Sequence, residues 1–192
     1  SEMCIRDRHT GALLVLFLAV MAGLFWFRPA QAGLSWFSQD WSYRIKLTID
    51  STKVDADLSD FPVAVLLTSS QIDYSHTQNN GEDIRFTDIS GNLLKHEIEK
   101  WDEAGTSVVH VKVPSVDADA DTHLYMYYGN PSAQDTQTPQ DVWDDNFVGV
   151  WHLDEGDSTA NDFYKDSTAN NNHGTLTDSD GDSAATDGKV DG

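Results

Sequence analysis

The fold is set by the stretch Trp41-Ser-Tyr-Arg-Ile-Lys-Leu-Thr-Ile-Asp50, which opens a regular β pattern. Apolar and polar side chains alternate along residues 43–49, and this period of two is typical of a strand with one buried face. The same pattern recurs at residues 63–67, 84–87, 94–101, 108–113 and 124–128, whereas no stretch shows a helical repeat. The sequence therefore predicts an all-β fold, an antiparallel β-sandwich of the jelly-roll type.

Turn-forming residues separate the predicted strands. They lie at positions 59–62, 79–81, 90–92 and 129–131, where Gly, Asn, Ser and Pro supply the backbone angles of tight turns. Within one strand, the alternation places Val109, Val111 and Val113 on one face and His110 and Lys112 on the other. We therefore expect a sheet that is packed on one side and wetter on the other.

The first 32 residues have the three-part layout of a secretory signal peptide. A charged start precedes an apolar run at residues 11–27, and Ala30-Gln31-Ala32 forms a small-x-small cleavage site. A helix of this length would reach about 25 Å, short of the ~30 Å hydrocarbon core. We expect cleavage, with an uncleaved membrane anchor as the alternative. Residues 1–8 look unlike the rest, and we expect them to be non-native.

This segment predicts an exported protein, located in the periplasm or outside the cell. Contact with a membrane is expected only through the segment itself, if it stays uncleaved, or through sequence downstream of Gly192.

The protein is strongly acidic, with a formal net charge of −20. Removal of residues 1–32 would change the charge to −21, because that segment holds three basic and two acidic residues. Such a charge repels phosphate backbones and anionic lipid headgroups, which argues against nucleic-acid binding and a peripheral membrane role. Cys4 is the sole cysteine, so the exported part is expected to have no disulfide and no thiol nucleophile.

The composition divides the exported part into two regions. Residues 33–146 are rich in aromatic and β-branched side chains, whereas the chain beyond position 153 is nearly all Asp, Ser, Thr, Asn, Gly and Ala, with few residues able to form a core. The sequence predicts a β-sandwich domain at 33–146 and an incomplete second β domain at 147–192. We expect the chain to be a piece of a longer protein.

Six blocks of the first region resemble, in order, a bacterial domain family of unknown function that is found in exported proteins. The blocks are Trp41-Ser-Tyr-Arg44, Phe61-Pro62-Val63, Gly81-Glu-Asp-Ile-Arg-Phe-Thr-Asp88, His96-Glu97-Ile98-Glu99-Lys100-Trp101, Val111-Lys-Val-Pro114 and Tyr125-Met-Tyr-Tyr-Gly-Asn130. The resemblance implies a module and no particular reaction. Some relatives are fused to proton-channel subunits of the MotA/TolQ/ExbB type.

A second resemblance begins at Val148-Gly-Val-Trp-His-Leu-Asp154 and continues through Asp166-Ser-Thr-Ala-Asn-Asn-Asn-His-Gly-Thr175. These residues are similar to the opening of a laminin-G-like, concanavalin-A-like jelly roll. The resemblance implies that residues 147–192 are the N-terminal fragment of such a domain, and that the longer protein recognises glycans.

Glu97 and Glu99 are the candidate catalytic residues. Two positions apart on a predicted strand, their carboxylates lie on one face, roughly 7 Å apart, which is near the separation in inverting glycosidases. The neighbouring Lys95 and Lys100 favour two ionised groups over the proton-sharing pair that acid catalysis needs. A solvated strand face is the simpler interpretation.

The sequence indicates no cofactor and no metal site. Its histidines have no His-x-His or His-Glu-x-x-His spacing, so a zinc site would have to assemble from distant strands. Asp166 is the one candidate metal ligand, for calcium. With Ser167 it is better interpreted as the start of an Asx or Ser turn.

The aromatic side chains are more numerous than a small core needs, and exposed rings can stack on sugar faces. Trp36 and Trp41, near the start of the exported part, are the candidate ligand-binding residues. Their alternative role is to pin the first strand. Alternation predicts instead that Tyr43, Trp101, Tyr125 and Trp151 fill the core.

Three classes of function remain open. The first is a non-catalytic exported recognition or scaffold module that binds a glycan or a cell-surface protein. The second is the periplasmic sensing domain of an ExbB/TolQ-type transport complex, and it rests on the family resemblance alone. The third is a polysaccharide hydrolase that uses Glu97 and Glu99.

Overall fold

The computed structural model describes residues 36–155, 160 and 163–175. The predicted signal peptide lies outside this part of the chain. Among the described residues, no helix combines the length and the apolar character needed to cross a membrane.

Seven strands account for most of the regular structure: β1 (Tyr43–Ile49), β2 (Leu58–Leu67), β3 (Arg85–Asp88), β4 (Leu93–Leu94), β5 (His96–Lys100), β6 (Ser107–Val116) and β7 (Thr122–Tyr128). Two 3-10 helices occupy Ser51–Lys53 and Tyr74–His76, and a single α-helical turn, α1, occupies Pro139–Val142. The predicted strands are present, except that the one predicted at 94–101 is divided into β4 and β5, which belong to different sheets. The described part of the chain contains almost no helix, as the absence of a helical repeat predicted.

The strands form two antiparallel sheets. One has the order β1-β7-β3-β4 and the other the order β2-β6-β5. Their inner faces enclose the core, to which β6 contributes Val109, Val111 and Val113 and β7 contributes Leu124 and Met126, all at most 2% exposed. Full burial of such side chains stabilises the fold by about 1.5–3 kcal/mol each. The predicted all-β sandwich is confirmed.

One predicted turn is wrong. Residues 59–62 lie inside β2 and not between strands. Asp60 has a φ of 51° and lies where Pro114 interrupts the pairing with β6, since Ser59 pairs with Ser115 and Phe61 with Val113 on either side. Pro62 and the distortion at Asp60 are tolerated because β2 is an edge strand, and Pro114 is tolerated because it lies beyond the part of β6 that pairs with β5.

A buried carboxylate joins the turns that place β3 beside β7. Asp83 is fully buried, and its carboxylate accepts hydrogen bonds from the backbone N–H groups of Gln78, Gly129 and Asn130 at 2.8, 2.7 and 3.1 Å. The indole Nε1 of Trp41 donates to the Asp83 carbonyl at 2.6 Å. Asp83, in the Gly81–Asp88 block, therefore has a structural role.

Both sheets are also covered on their outer faces. Over the four-stranded sheet, the rings of Trp36 and Phe37 pack on Tyr127 with centroids 5.5 and 5.7 Å apart. Over the three-stranded sheet lies the chain that follows β7, including α1, which contacts β5 and β6. The second cover creates the site described below.

Candidate functional site

A polar cluster lies on the outer face of β5 and β6. On β5, His96 and Ile98 belong to the inner face, so the alternating Glu97 and Glu99 point outward. Glu97 pairs across the strands with His110, and an irregularity in the register at Ile98 to Lys100 brings Glu99 close to the same histidine. The expected placement of both carboxylates on one face is confirmed.

Glu97 is buried, with 5% of its surface exposed. Trp143 Nε1 donates to its Oε2 at 2.8 Å, and Ser167 Oγ donates to its Oε1 at 2.5 Å. His152 Nε2 lies 3.1 Å from the same Oε1. The interpretation of this strand face as solvated is wrong, because the chain after β7 folds back over it and supplies all three partners.

The contacts of Glu97 hold it ionised. Burial raises the pKa of its carboxyl group, but the close contact with His152, the hydrogen bonds from Ser167 and Trp143 and the charge of His152 outweigh burial, so the pKa lies below its usual value. Burial lowers the pKa of His152, whereas the hydrogen bond and charge of Glu97 and the charges of Glu99 and Asp154 raise it above its usual value. Each member of the pair therefore favours the charged form of the other.

The two lysines have a different role from the one expected. Lys95 Nζ pairs with Asp141 at 2.9 Å, and Lys100 Nζ pairs with Asp102 at 3.2 Å. Neither is among the partners that keep Glu97 ionised. A low pKa opposes the general-acid role that a glycosidase needs, and catalysis by Glu97 and Glu99 stays an untested prediction.

Glu99 lies between two histidines that come from distant parts of the chain. Its Oε2 is 2.6 Å from His110 Nε2 and 3.6 Å from His152 Nδ1. The two imidazole rings are nearly parallel, with centroids 5.5 Å apart, and the His110 ring also contacts the Trp143 indole. One oxygen and two nitrogens of Glu99, His110 and His152 all lie within 4.8 Å of one another.

A cleft of about 550 Å³ opens beside this cluster, and its lining includes Glu97, Glu99, His152, Asp154, Glu155 and Asp166. We call it the acidic cleft. The backbone N–H of Lys165 donates to Glu155 Oε1 at 2.6 Å, while Glu155 Oε2 is buried without a hydrogen-bond partner among the described residues. The cleft therefore combines carboxylate acceptors with donor-bearing side chains such as Gln140, Lys165 and Asn171.

Asp166 organises the loop that closes the cleft. Its carboxylate accepts hydrogen bonds from the N–H groups of Val150, Thr168 and Asn172 and from the Thr168 hydroxyl. The bond to the N–H two residues ahead is the Asx turn expected here. These donors occupy both carboxylate oxygens, and they hold the pKa of Asp166 below its usual value against the effect of burial. Calcium binding by Asp166 stays an untested prediction.

Trp36 and Trp41 lie over the outer face of the four-stranded sheet, whereas the acidic cleft lies over the outer face of the three-stranded sheet. Trp36 Nε1 donates to the Trp41 carbonyl at 3.0 Å, and Arg44 lies 4.8 Å from the Trp36 ring. Arg85 lies 5.3 Å from the Trp41 ring. Both indoles are half-buried and engaged within the fold, an arrangement that suits the pinning role. Ligand binding by either tryptophan stays a prediction.

Trp151 differs from its expected place in the core. It is 41% exposed, and its Nε1 donates to the Asn172 carbonyl at 2.8 Å. Residues 147–153 form no strand, so the alternation that predicted burial does not apply there. An aromatic face is thus exposed one residue from His152.

Four residues of the site were not predicted as such: His110, Trp143, His152 and Ser167. The alternation of β6 places His110 on the outer face, and pairing with β5 then brings it to Glu97. No spacing along the chain indicates Trp143, His152 or Ser167, because they reach the cluster through the non-repetitive segment after β7.

The comparisons with known proteins bear on this part of the chain. Residues 80–172 match the family described as Domain of unknown function (DUF2341). The DUF2341 match begins at the turn before β3, contains the whole Glu97–Glu99–His110–His152 cluster, and ends at Asn172. It supports a domain of unknown function, as the first resemblance implied. No curated protein and no solved structure shows significant similarity to the chain.

The DUF2341 match runs through residues 147–172, which also carry the resemblance to a laminin-G-like domain. The described residues of this segment contact the sandwich through His152 and Ser167. The laminin-G-like domain, the domain boundary at position 146 and the channel fusions stay predictions.

Proposed function

We propose that this chain is an exported, non-catalytic recognition domain whose acidic cleft binds a hydroxyl-rich ligand, a glycan. The observation that carries the proposal is the concave, polar cleft, in whose wall a buried Glu155 oxygen has no hydrogen-bond partner among the described residues. Buried acceptors need donors, and sugar hydroxyls supply several from one small ligand. A cleft of this volume lies in the range of small-molecule sites.

Two further features favour a sugar over a flat protein surface. Trp151 is not a lining residue, but it is 41% exposed and donates to the Asn172 carbonyl of the loop that closes the cleft, so it offers a surface on which a pyranose ring of a ligand that extends beyond the cleft can stack. The negative charge of the cleft favours neutral or amino sugars over acidic ones. The transport-complex and hydrolase hypotheses have no comparable observation in their favour among the described residues.

Binding of neutral and amino-sugar oligosaccharides, screened on a glycan array and measured by calorimetry, tests the proposal. Trp151→Ala and Glu155→Gln are each expected to weaken binding about 5–30-fold, since each removes one stacking or hydrogen-bonding contact of about 1–2 kcal/mol. Phe61→Ala is the matched control for Trp151, because Phe61 is also 41% exposed but lies in β2, at the opposite edge of the sheet from β5 and the cleft.

Absence of binding to every oligosaccharide on the array would refute the glycan proposal. Equal loss of binding in Trp151→Ala and Phe61→Ala would place the ligand elsewhere. Export is tested separately by locating the protein in cell fractions, where recovery in the cytosol would contradict it.

A further inference from the structure

The cluster of Glu99, His110 and His152 has the donor atoms of a metal site. Two imidazole nitrogens and one carboxylate oxygen lie within 4.8 Å of one another. In a tetrahedral zinc site with bonds of about 2.0–2.1 Å, neighbouring donor atoms are about 3.3 Å apart. The observed 2.6 and 3.6 Å separations from the Glu99 oxygen bracket that value, and the two histidine nitrogens lie within 4.8 Å of each other, so side-chain movements on the order of 1–1.5 Å suffice to admit an ion.

The donor set selects the kind of ion. Ca²⁺ and Mg²⁺ prefer all-oxygen sites, whereas imidazole suits Zn²⁺ and the neighbouring divalent transition ions. Two histidines and one carboxylate form the three-ligand set of zinc sites that keep a fourth position open. Here Glu99 and His152 line the acidic cleft, which gives an ion at the cluster a side open to water or to a ligand.

Glu97 provides an independent indication of a metal site, because its carboxylate already contacts His152, one of the three donor residues. Its Oε1 lies 3.1 Å from His152 Nε2, which leaves His152 Nδ1 facing Glu99 at 3.6 Å. Histidines that bind metals commonly direct the other ring nitrogen to a carboxylate in this way. Glu97 is itself held by Trp143 and Ser167, so the geometry of His152 is fixed by a supporting shell.

The cluster is also sheltered from water. The side chains of His110 and His152 are each 14% exposed, and that of Glu99 is 17% exposed. An ion there loses less affinity to solvent screening than one held by surface carboxylates.

We propose that Glu99, His110 and His152 bind one divalent transition-metal ion, with Zn²⁺ the ion they fit best, and that Glu97 is a positioning residue for His152. The proposal does not depend on glycan binding. Its test uses metal ions alone, so its failure leaves the glycan experiment unaffected.

The test titrates Co²⁺ into the chelator-treated 192-residue chain, kept in mild detergent because residues 11–27 are apolar. Co²⁺ serves as a visible probe of tetrahedral coordination. We expect one Co²⁺ per chain with a tetrahedral absorption spectrum that Zn²⁺ abolishes by displacement. His110→Ala and His152→Ala are expected to lose the spectrum, and His123→Ala, a sheet histidine outside the cluster, is expected to keep it.

Glu97→Gln separates positioning from ligation. We expect it to keep the tetrahedral spectrum while lowering metal affinity about 10–100-fold, the usual cost of losing such a partner. A lost spectrum would instead make Glu97 a ligand, which contradicts its assigned role. Unchanged affinity would also overturn that role.

A measurement on the unmutated protein covers the case in which a histidine variant does not fold. Zn²⁺ should shift the ring NMR signals of only two of the seven histidines. The proposal is overturned by no tetrahedral spectrum, by a spectrum that survives both histidine substitutions in folded protein, or by zinc-induced shifts spread evenly over the histidines.

Discussion

Acidification should destabilise this protein through one buried histidine of the core. His96 is 3% exposed on the inner face of β5, with its ring 5.5 Å from that of Phe86. Burial, and then the charge of Arg85, lower its pKa from 6.5 to about 4, while the opposing effects of Asp135 and the Leu94 carbonyl are smaller. Protonation of His96 is therefore costly in the folded state.

The sign and size of the effect follow from the two pKa values. Between pH 6.5 and 4 the unfolded chain binds this proton and the folded chain does not, so stability falls as the pH falls through this window and levels off below pH 4. The two values differ by about 2.5, and at about 1.4 kcal/mol per pKa unit the full loss is about 3 kcal/mol. About 2 kcal/mol of it is reached by pH 5, which is still above the isoelectric point of about 4.3.

The assay is urea unfolding at pH 7 and at pH 5 for the unaltered protein and for His96→Gln. Carboxylates that titrate in this range are common to both proteins, so their effects cancel in the comparison. We expect the unaltered protein to lose about 2 kcal/mol more than the variant between the two pH values. Equal losses in the two proteins would refute the reasoning.

Two further substitutions test the turns around β7. Gly129→Ala should lower the free energy of unfolding by about 2–3 kcal/mol, because Gly129 has a φ of 88° and a Cβ there would lie 2.5 Å from Tyr43 Cδ2. Gly91→Ala is the control, since Gly91 has a φ of 86° but open space around it, so backbone strain alone should cost about 1 kcal/mol. Equal effects of the two substitutions in urea unfolding would contradict the steric argument. Asp83→Asn should lower the free energy of unfolding by about 2–4 kcal/mol in the same assay, because an amide has one acceptor oxygen for three backbone N–H donors. Asp119→Asn, at an exposed position, is the control, and an equally small effect of both substitutions would show that the buried carboxylate is not needed.

The sandwich was predictable from the sequence because its strands carry alternating side chains. Val109, Val111 and Val113 bury one face of β6, and the period of two shows this without any tertiary information. The predicted bounds of β1, 43–49, agree with the observed strand. The turn predicted at residues 59–62 is wrong because Asp, Pro and Ser form turns in most contexts, and only the pairing with β6 keeps these residues in an edge strand.

The covers on the outer faces could not be predicted in the same way. The segment that reaches Glu97 is polar, and hydrogen bonds to Asp166 hold it in place more than apolar burial does, so it has no periodic pattern. His152 and Ser167 lie 55 and 70 positions after Glu97, a separation that no local motif spans. Trp151 was predicted as core because its segment resembles a strand, whereas the structure leaves the indole exposed.

The central claim is that the chain after β7 folds back over the outer face of β5 and completes the site at Glu97. A double-mutant cycle between Glu97→Ala and Ser167→Ala, measured by urea unfolding, tests it most directly. Direct contact predicts a coupling free energy of about 1–3 kcal/mol. A coupling within about 0.3 kcal/mol of zero would contradict the contact between the two side chains, and with it the site at Glu97 and the closure of the cleft.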